Sequence, residues 1–468
     1  MKKIFAFIII LLSISIPSFA ENIYISQGGT GDGTSCSSPR SASWFNTSGN
    51  WGAGAGKISG GDTVYLCGSI TSGLTVQASG SSGNIITIDG ASATLFGTIL
   101  TSNRSYFTVQ NITWASGRTP PHVTASSSTN ATFRNLNIPE STYVHVDEPV
   151  LNFGGASYIT VDGVVATPHG GLIGANSGSN LTFSNLDVVS SNDSVYTERD
   201  MIRCPGAQYV TLEKSKIHQR WIGTGPQAHN DIWQMWGSGG NYTLRHSLLI
   251  IDSNGSNNYQ LVIWQDVNGT NNIYGNVFLK IGSNGSGAMI SGFSTSGVSG
   301  SLNAYNNTFI NKGTAAWYFL QYNANSGNTF NFKNNVYYNE TSGGGVIEVT
   351  GSFVHQYNTY RGGKSNAYLG GSCASYISTG ESCDVNPLFY DYANNDFRIG
   401  TNSPAYNTGT NLGSTYIKGL SLISNSFPNP ILVTRPQTTS WDKGAYSYSG
   451  NIESGGKIPM APSSLGIK

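Results

Sequence analysis

The sequence predicts an all-β chain wound as one single-stranded parallel coil of about ten to eleven turns, and three observations predict it. Nine-residue blocks, among them YFTVQNITW (106–114), NATFRNLNI (130–138), YITVDGVVA (158–166) and NLTFSNLDV (180–188), line up without gaps. So do YVTLEKSKI (209–217), NYTLRHSLL (241–249), NNIYGNVFL (271–279), LNAYNNTFI (302–310), TFNFKNNVY (329–337) and FVHQYNTYR (353–361). The sixth place of the block is mostly asparagine, at Asn111, Asn135, Asn185, Asn276, Asn307, Asn334 and Asn358. A second set of cores, from EPVLN (148–152) to GVIEV (345–349), has an apolar third column: Val150, Leu172, Ile202, Trp233, Val262, Ile290, Tyr318 and Ile347. Short alternating strands that end in a repeating asparagine suit such a coil, because a stacked amide can bond the turns above and below it. The period wanders between about 22 and 32 residues, as it does in a coil whose loops differ in length.

Taken in order, residues 1–20 (MKKIFAFIIILLSISIPSFA) carry a basic start, an apolar stretch and small residues before a cleavage point, the pattern of a removed export signal. The chain is therefore expected to be secreted, periplasmic or on the cell surface, with no membrane span. Residues 21–83 hold a cap, with SASWFNTSGNW at 41–51, and an entry strand, GGDTVYLCG at 60–68. A cap there would keep the first edge from pairing with another molecule, and a monomer is expected. The coil proper runs over 84–362. Residues 363–449 form the last coils and a closing segment, and 450–468 a flexible tail.

Composition bounds the partners. Lys plus Arg number 24, as do Asp plus Glu, so net charge is zero and neither nucleic acid nor an acidic membrane surface is implied. Abundant Gly, Asn and Ser could mean disorder, but aromatic residues make up 11% of the chain, and disordered chains lack them. Five cysteines in an exported chain imply disulfides. The pairs expected are Cys36–Cys67 and Cys373–Cys383, with Cys204 left as a buried thiol. Cys36, Cys67 and Cys204 are too scattered to read as a zinc site.

These blocks resemble the right-handed parallel β-helix repeat proteins of the pectate-lyase-like superfamily over roughly residues 60 to 400. The resemblance implies the coil's right hand. It implies no particular chemistry, since the hydrolase motif sets of that superfamily are not found in this sequence. His229-Asn230-Asp231-Ile232-Trp233-Gln234 looks like a His-x-Asp-x-x-Gln run of other members. Pectate lyases use an Arg or Lys base beside acidic calcium ligands, for which Arg203 and Arg220 are the candidates.

One stretch, QAHNDIWQMWG (227–237), concentrates the chemistry. Alternation puts Trp233 and Met235 inside and Gln234 and Trp236 outside. Arg203, Ile263, Ser291, Phe319 and Glu348 would stack beside Gln234, and Gln265, Phe293 and Gln321 beside Trp236, with Trp317 in a second outward column. An outer face of aromatics and amides suits sugar rings, which stack through C–H faces while amides bond the hydroxyls. Asp200 and Asp231 open successive strands, so their carboxylates would lie about 5 Å apart. Such a pair serves a retaining glycosidase, a calcium site, or a lyase in which a cation neutralises a uronate while His229 or Arg203 moves the proton. A lyase is expected before a hydrolase. The rival expectations are a non-catalytic adhesion protein and a purely structural coil, in which the two acids cap turns. Lys216 stacks beside Asp187, which a surface ion pair explains.

Overall fold

The computed structural model describes residues 20–141, 148–191, 200–221, 230–253, 258–266, 268–282, 286–293, 300–313, 317–323, 328–339, 347–350, 352–362 and 373–448. The chain forms the parallel β-helix expected of it. One 21-stranded sheet bends to make the first and second faces of the coil, and an 11-stranded sheet makes the third. Every pairing along the third face is parallel, and one inward column runs its whole length: Leu74, Ile99, Val123, Leu151, Ile173, Ile202, Trp233, Val262, Ile290, Leu320 and Ile347. On the first face Val64, Ile88, Val109, Phe133, Val161, Phe183, Leu212 and Leu244 point inward in register. Alternation sends Thr87, Thr108, Thr132, Thr160, Thr182, Thr211 and Thr243 outward beside them.

This register corrects the expected columns. Val150 and Leu172 are buried in the core as expected, but they stand in the column of Met201; the column of Ile202 is held by Leu151 and Ile173, which alternation put outside, and by Leu320, two places after Tyr318. Runs of adjacent apolar residues give alternation nothing to choose between, and a one-residue slip exchanges the two faces of a strand. The second column is not outward either. Met201, Ile232, Leu261 and Met289 are buried in the main core, since the strand is still turning its corner there and two successive residues face inward.

The asparagine column divides into two. Asn111, Asn135, Asn185, Asn306 and Asn334 occupy a corner with φ between 52° and 56°, a position shared with Gly163, Lys214, His246, Gly275 and Tyr357. Left-handed backbone favours Gly and Asn. The next place turns inward, and there Asn276, Asn307, Asn335 and Asn358 form a buried ladder. The Asn307 Nδ2 donates to Asn335 Oδ1 at 3.1 Å, and the Asn335 Nδ2 donates to Asn358 Oδ1 at 3.0 Å. Asn276, Asn307 and Asn358 therefore belong to the inner column, while Asn334 belongs to the corner.

The two ends are closed differently. Phe45 of the short helix Ala42–Asn46 is buried edge to face against Trp51, with ring centroids 4.9 Å apart. Asn46 donates to the carbonyl of Gly73 and accepts from the amide of Thr75, both at 2.8 Å, covering the edge of the first third-face strand. A strand that sequence reasoning missed, Asn22–Ser26, pairs with Thr63–Ile70 ahead of the first coil. At the other end the closing segment packs Phe397, Leu420, Ala445 and Tyr446 onto Leu248, Ile250, Val277, Leu279 and Ile310 of the second face. That face is thus apolar on both sides. Cys36–Cys67 and Cys373–Cys383 are bonded, and Cys204 is a buried free thiol. Burial pushes that thiol's pKa up. Among the described residues no helix is long and apolar enough to cross a membrane.

Candidate functional site

The strand Asn230–Met235 enters the third face from the corner where connections are longest, and its register with the neighbouring coils builds the site. Arg203 pairs with Gln234 and Ile202 with Trp233, so the two predicted polar residues stand side by side on the outer surface. Both are half-buried. Trp233 and Met235 face the core, where Trp233 meets Trp264 edge to face at 5.4 Å. Trp236 lies just past the strand, and the Arg203 guanidinium sits over its ring, 5.1 Å from the centroid. Pairing of Met235 with Trp264 carries Gln265 opposite Trp236 on the next coil, also half-buried.

The acids lie deeper than the sequence implied. Asp200 is 2% exposed and Asp231 fully buried. Asp200 Oδ1 accepts the backbone N–H of Asp231 at 3.1 Å, and its Oδ2 lies 3.6 Å from Arg203 Nε. A buried carboxylate needs such partners to remain charged. Asp200, held in turn by the Asp231 backbone, therefore braces Arg203 from beneath. Calcium takes six to eight oxygens, whereas among the described residues no three His, Cys, Asp or Glu side chains gather into a metal-binding group. With a guanidinium already beside Asp200, the described donors do not fit that ion.

The other candidates are dispersed. Arg220 stands on the second face, in register with Asp252, and its amide donates to Ser190 Oγ at 2.8 Å. His229 lies outside the described residues. Trp317 pairs through its backbone with Gly287 on the third face, and its side chain is likewise outside the description. The continuous aromatic and amide face is corrected: the column beside Gln234 runs Arg203, Gln234, Ile263, Ser291, Gln321 and Glu348, with Ile263 and Ser291 buried. Gln321 takes the place expected of Phe319 and donates to Glu348 Oε2 at 2.8 Å. It does not stand beside Trp236. Lys216 and Asp187 form the expected ion pair, 3.8 Å apart.

Sequence reasoning gave His218 no role. His218 is buried on the second face, and burial beside Arg220 and Lys216 depresses its pKa to about 3. The signal was present: in KIHQRW (216–221) a histidine holds the register place that Val189 and Ile250 hold on neighbouring coils.

No family model matches this chain, and no curated protein matches it. Solved structures that resemble it include pectate lyase Pel9A, at 14% identity over 92% of this chain and 97% of that one, with a TM-score of 0.35. A PL6-family polysaccharide lyase from Pseudopedobacter saltans is 11% identical over 81% and 97% of the two chains, with a TM-score of 0.40. PfbA, a surface adhesin of Streptococcus pneumoniae, is 9% identical over 64% and 85%, with a TM-score of 0.26. At these identities the likeness concerns the fold alone.

Proposed function

We propose that this chain is an exported β-helix protein that binds polysaccharide on the outer side of its third face, around Arg203, Gln234, Trp236 and Gln265. The observation that carries the reading is the guanidinium of Arg203 held over the Trp236 ring and braced by a buried carboxylate. Ordering a long cationic side chain ordinarily costs binding energy, and here Asp200 orders it in advance. A ring that stacks on an indole and meets a guanidinium and two amides is a sugar carrying hydroxyls or a carboxylate. Two disulfides suit export.

Cleavage extends this reading, by a lyase before a hydrolase. A retaining hydrolase needs two acids in contact with the sugar, and Asp200 and Asp231 are buried. A lyase needs a cation against the uronate carboxylate, a place Arg203 can fill, with His229 the candidate base.

The test is a panel of polygalacturonate, alginate, galactan and xylan, read by calorimetry, by absorbance in the unsaturated-uronate band and by reducing ends. Trp236→Ala is expected to weaken binding roughly tenfold, about 1.4 kcal/mol, and EDTA to leave binding unchanged. A rise in absorbance that disappears in Arg203→Ala adds the lyase. Wild-type silence towards all four polymers, or wild-type affinity in Trp236→Ala, defeats the binding reading.

A further inference from the structure

A second recess opens several coils further along and on a different face, where the closing segment meets the second face. The antiparallel hairpin Phe389–Asp391 and Asp396–Ile399 lies against the strand Val336–Asn339. Between them is a cavity of about 460 Å³, within the range of small-ligand sites. Four aromatic rings line it, those of Tyr338, Phe389, Tyr390 and Tyr392, together with the amides of Asn386 and Asn402. Tyr338 and Tyr392 are 4.8 Å apart between centroids, and Phe389 and Tyr392 are nearly parallel at 12°.

We propose that this recess is a second, independent binding site for a neutral sugar ring. None of its lining side chains is charged. The cations nearest to it are committed elsewhere. Lys312 donates to the carbonyls of Tyr392 and Ala393 and to Asn395 Oδ1, lying 4.7 Å from the Tyr392 centroid. Arg398 is locked to Asp396 and to the carbonyl of Leu422, 5.2 Å from the Tyr390 centroid. An ionic ligand would meet no opposite charge in this lining, while a pyranose offers C–H faces to the rings and hydroxyls to the amides.

The mouth is built with unusual groups. Leu388 and Tyr390 are 42% and 40% exposed, large apolar surfaces left open on either side of Phe389. Leu388 has φ of 54°, a conformation that disfavours side chains, and Asn386 Oδ1 fixes it by accepting its N–H at 2.9 Å. Residues held this way cluster at ligand clamps.

The proposal does not rest on the Trp236 site, and one experiment separates them. The mature chain is titrated with cellohexaose, xylohexaose, mannohexaose and laminarihexaose by calorimetry, as wild type, Tyr390→Ala, Asn402→Ala and Trp236→Ala. At least one hexasaccharide is expected to bind wild type and Trp236→Ala alike and to lose tenfold or more in affinity to Tyr390→Ala. Asn402→Ala decides the matter should Tyr390→Ala fail to fold. The recess is ruled out if no hexasaccharide binds, or if both recess variants bind as wild type does. Loss in Trp236→Ala alone would also rule it out, while leaving the outer face as the polysaccharide site.

Discussion

The corner between the first and second faces is built in two ways along one molecule. In the coils before residue 190 the inward place after the left-handed corner is apolar, at Ile112, Leu136, Val164 and Leu186, and each is buried. From residue 215 onward the same place holds Ser215, Ser247, Asn276, Asn307, Asn335 and Asn358. Their polar atoms bond continuously from coil to coil, and Glu381 accepts from Asn358 Nδ2 at 2.6 Å at the far end. The corner residues change partners as well. Asn111 and Asn135 bond neighbours along the axis, Asp89 and Asn111. Asn306 and Asn334 instead donate outward to the carbonyls of Asp442 and Thr410, and His246 Nε2 lies 3.3 Å from the Lys418 carbonyl. Where the closing segment docks, the corner's amides hold it. Where nothing docks, they hold each other.

Removing a rung tests this contrast most severely. Asn307→Ala removes the acceptor of the Asn276 backbone N–H and Nδ2 and the donor to the carbonyl of Ile273, while Asn335 Oδ1 keeps only the backbone N–H of residue 307. It is expected to cost about 3–5 kcal/mol in denaturant unfolding, because the stranded groups remain buried. Adding Asn335→Ala should cost less than the sum of the singles, since the two share a bond. Additive losses would mean that the ladder is a row of independent contacts.

Acid tests the buried histidines of both stretches. Burial depresses His122, in the early coils, and His218 and His246, in the later ones, to about 3 from the usual 6.5; nearby cations add to this, while a bond to the Lys418 carbonyl opposes it at His246. A depressed histidine favours the folded state above its unfolded pKa, and that advantage is lost as pH falls from 6.5 towards 3. At pH 5 the loss is about 2 kcal/mol per histidine. Thermal melts should fall steadily between pH 7.5 and 5, and His122→Gln should flatten the slope. An unchanged slope would mean that His122 is protonated in the fold.

Glu381 sharpens the comparison at the ladder's end. Burial raises its pKa, but bonds from His355, Ser378 and Asn358 outweigh that and leave the carboxyl below its ordinary value. Glu381→Gln should cost about 1–2 kcal/mol and also reduce acid sensitivity below pH 5. Smaller still, Lys214→Gly should stabilise by up to about 1 kcal/mol, because glycine adopts the corner's positive φ without strain. Gly163→Ala, in the same column of the early stretch, should do the reverse, with its Cβ 3.1 Å from Asn135 Oδ1. Equal melting temperatures for the two variants would deny that the columns are equivalent.

The coil was legible because strand periodicity and turn chemistry recur about a dozen times. Ile202, Trp233, Val262, Ile290 and Ile347 were placed correctly from alternation alone, as was Arg203 beside Gln234. Register failed where neighbours were chemically alike, at Val150-Leu151, Leu172-Ile173 and the pair Asn306-Asn307, because type cannot say which of two equals holds a given column. The depth of Asp200 and Asp231 was not legible, since a carboxylate reads the same whether it caps a turn or braces an arginine. The docking of the closing segment had a signal that alternation ignored: LLII (248–251) is an unbroken apolar run, as a strand covered on both sides requires.

The corners between faces also differ in how much change they admit. Between the third and first faces five successive turns contain four residues each, at 101–104, 125–128, 153–156, 175–178 and 204–207, whereas the connection before them, 76–85, has ten and those after them differ in length. Between the second and third faces the intervening chain ranges from three residues (71–73 and 96–98) to twelve (139–150 and 190–201) while the next strand still enters in register. The four-residue turn is kept through five successive coils, while the second-to-third corner changes length almost at every coil. That corner is therefore an open margin along the length of this molecule, and Asp200 and Asp231 stand at its edge. Novelty can accumulate there coil by coil, without the scaffold having to be reinvented.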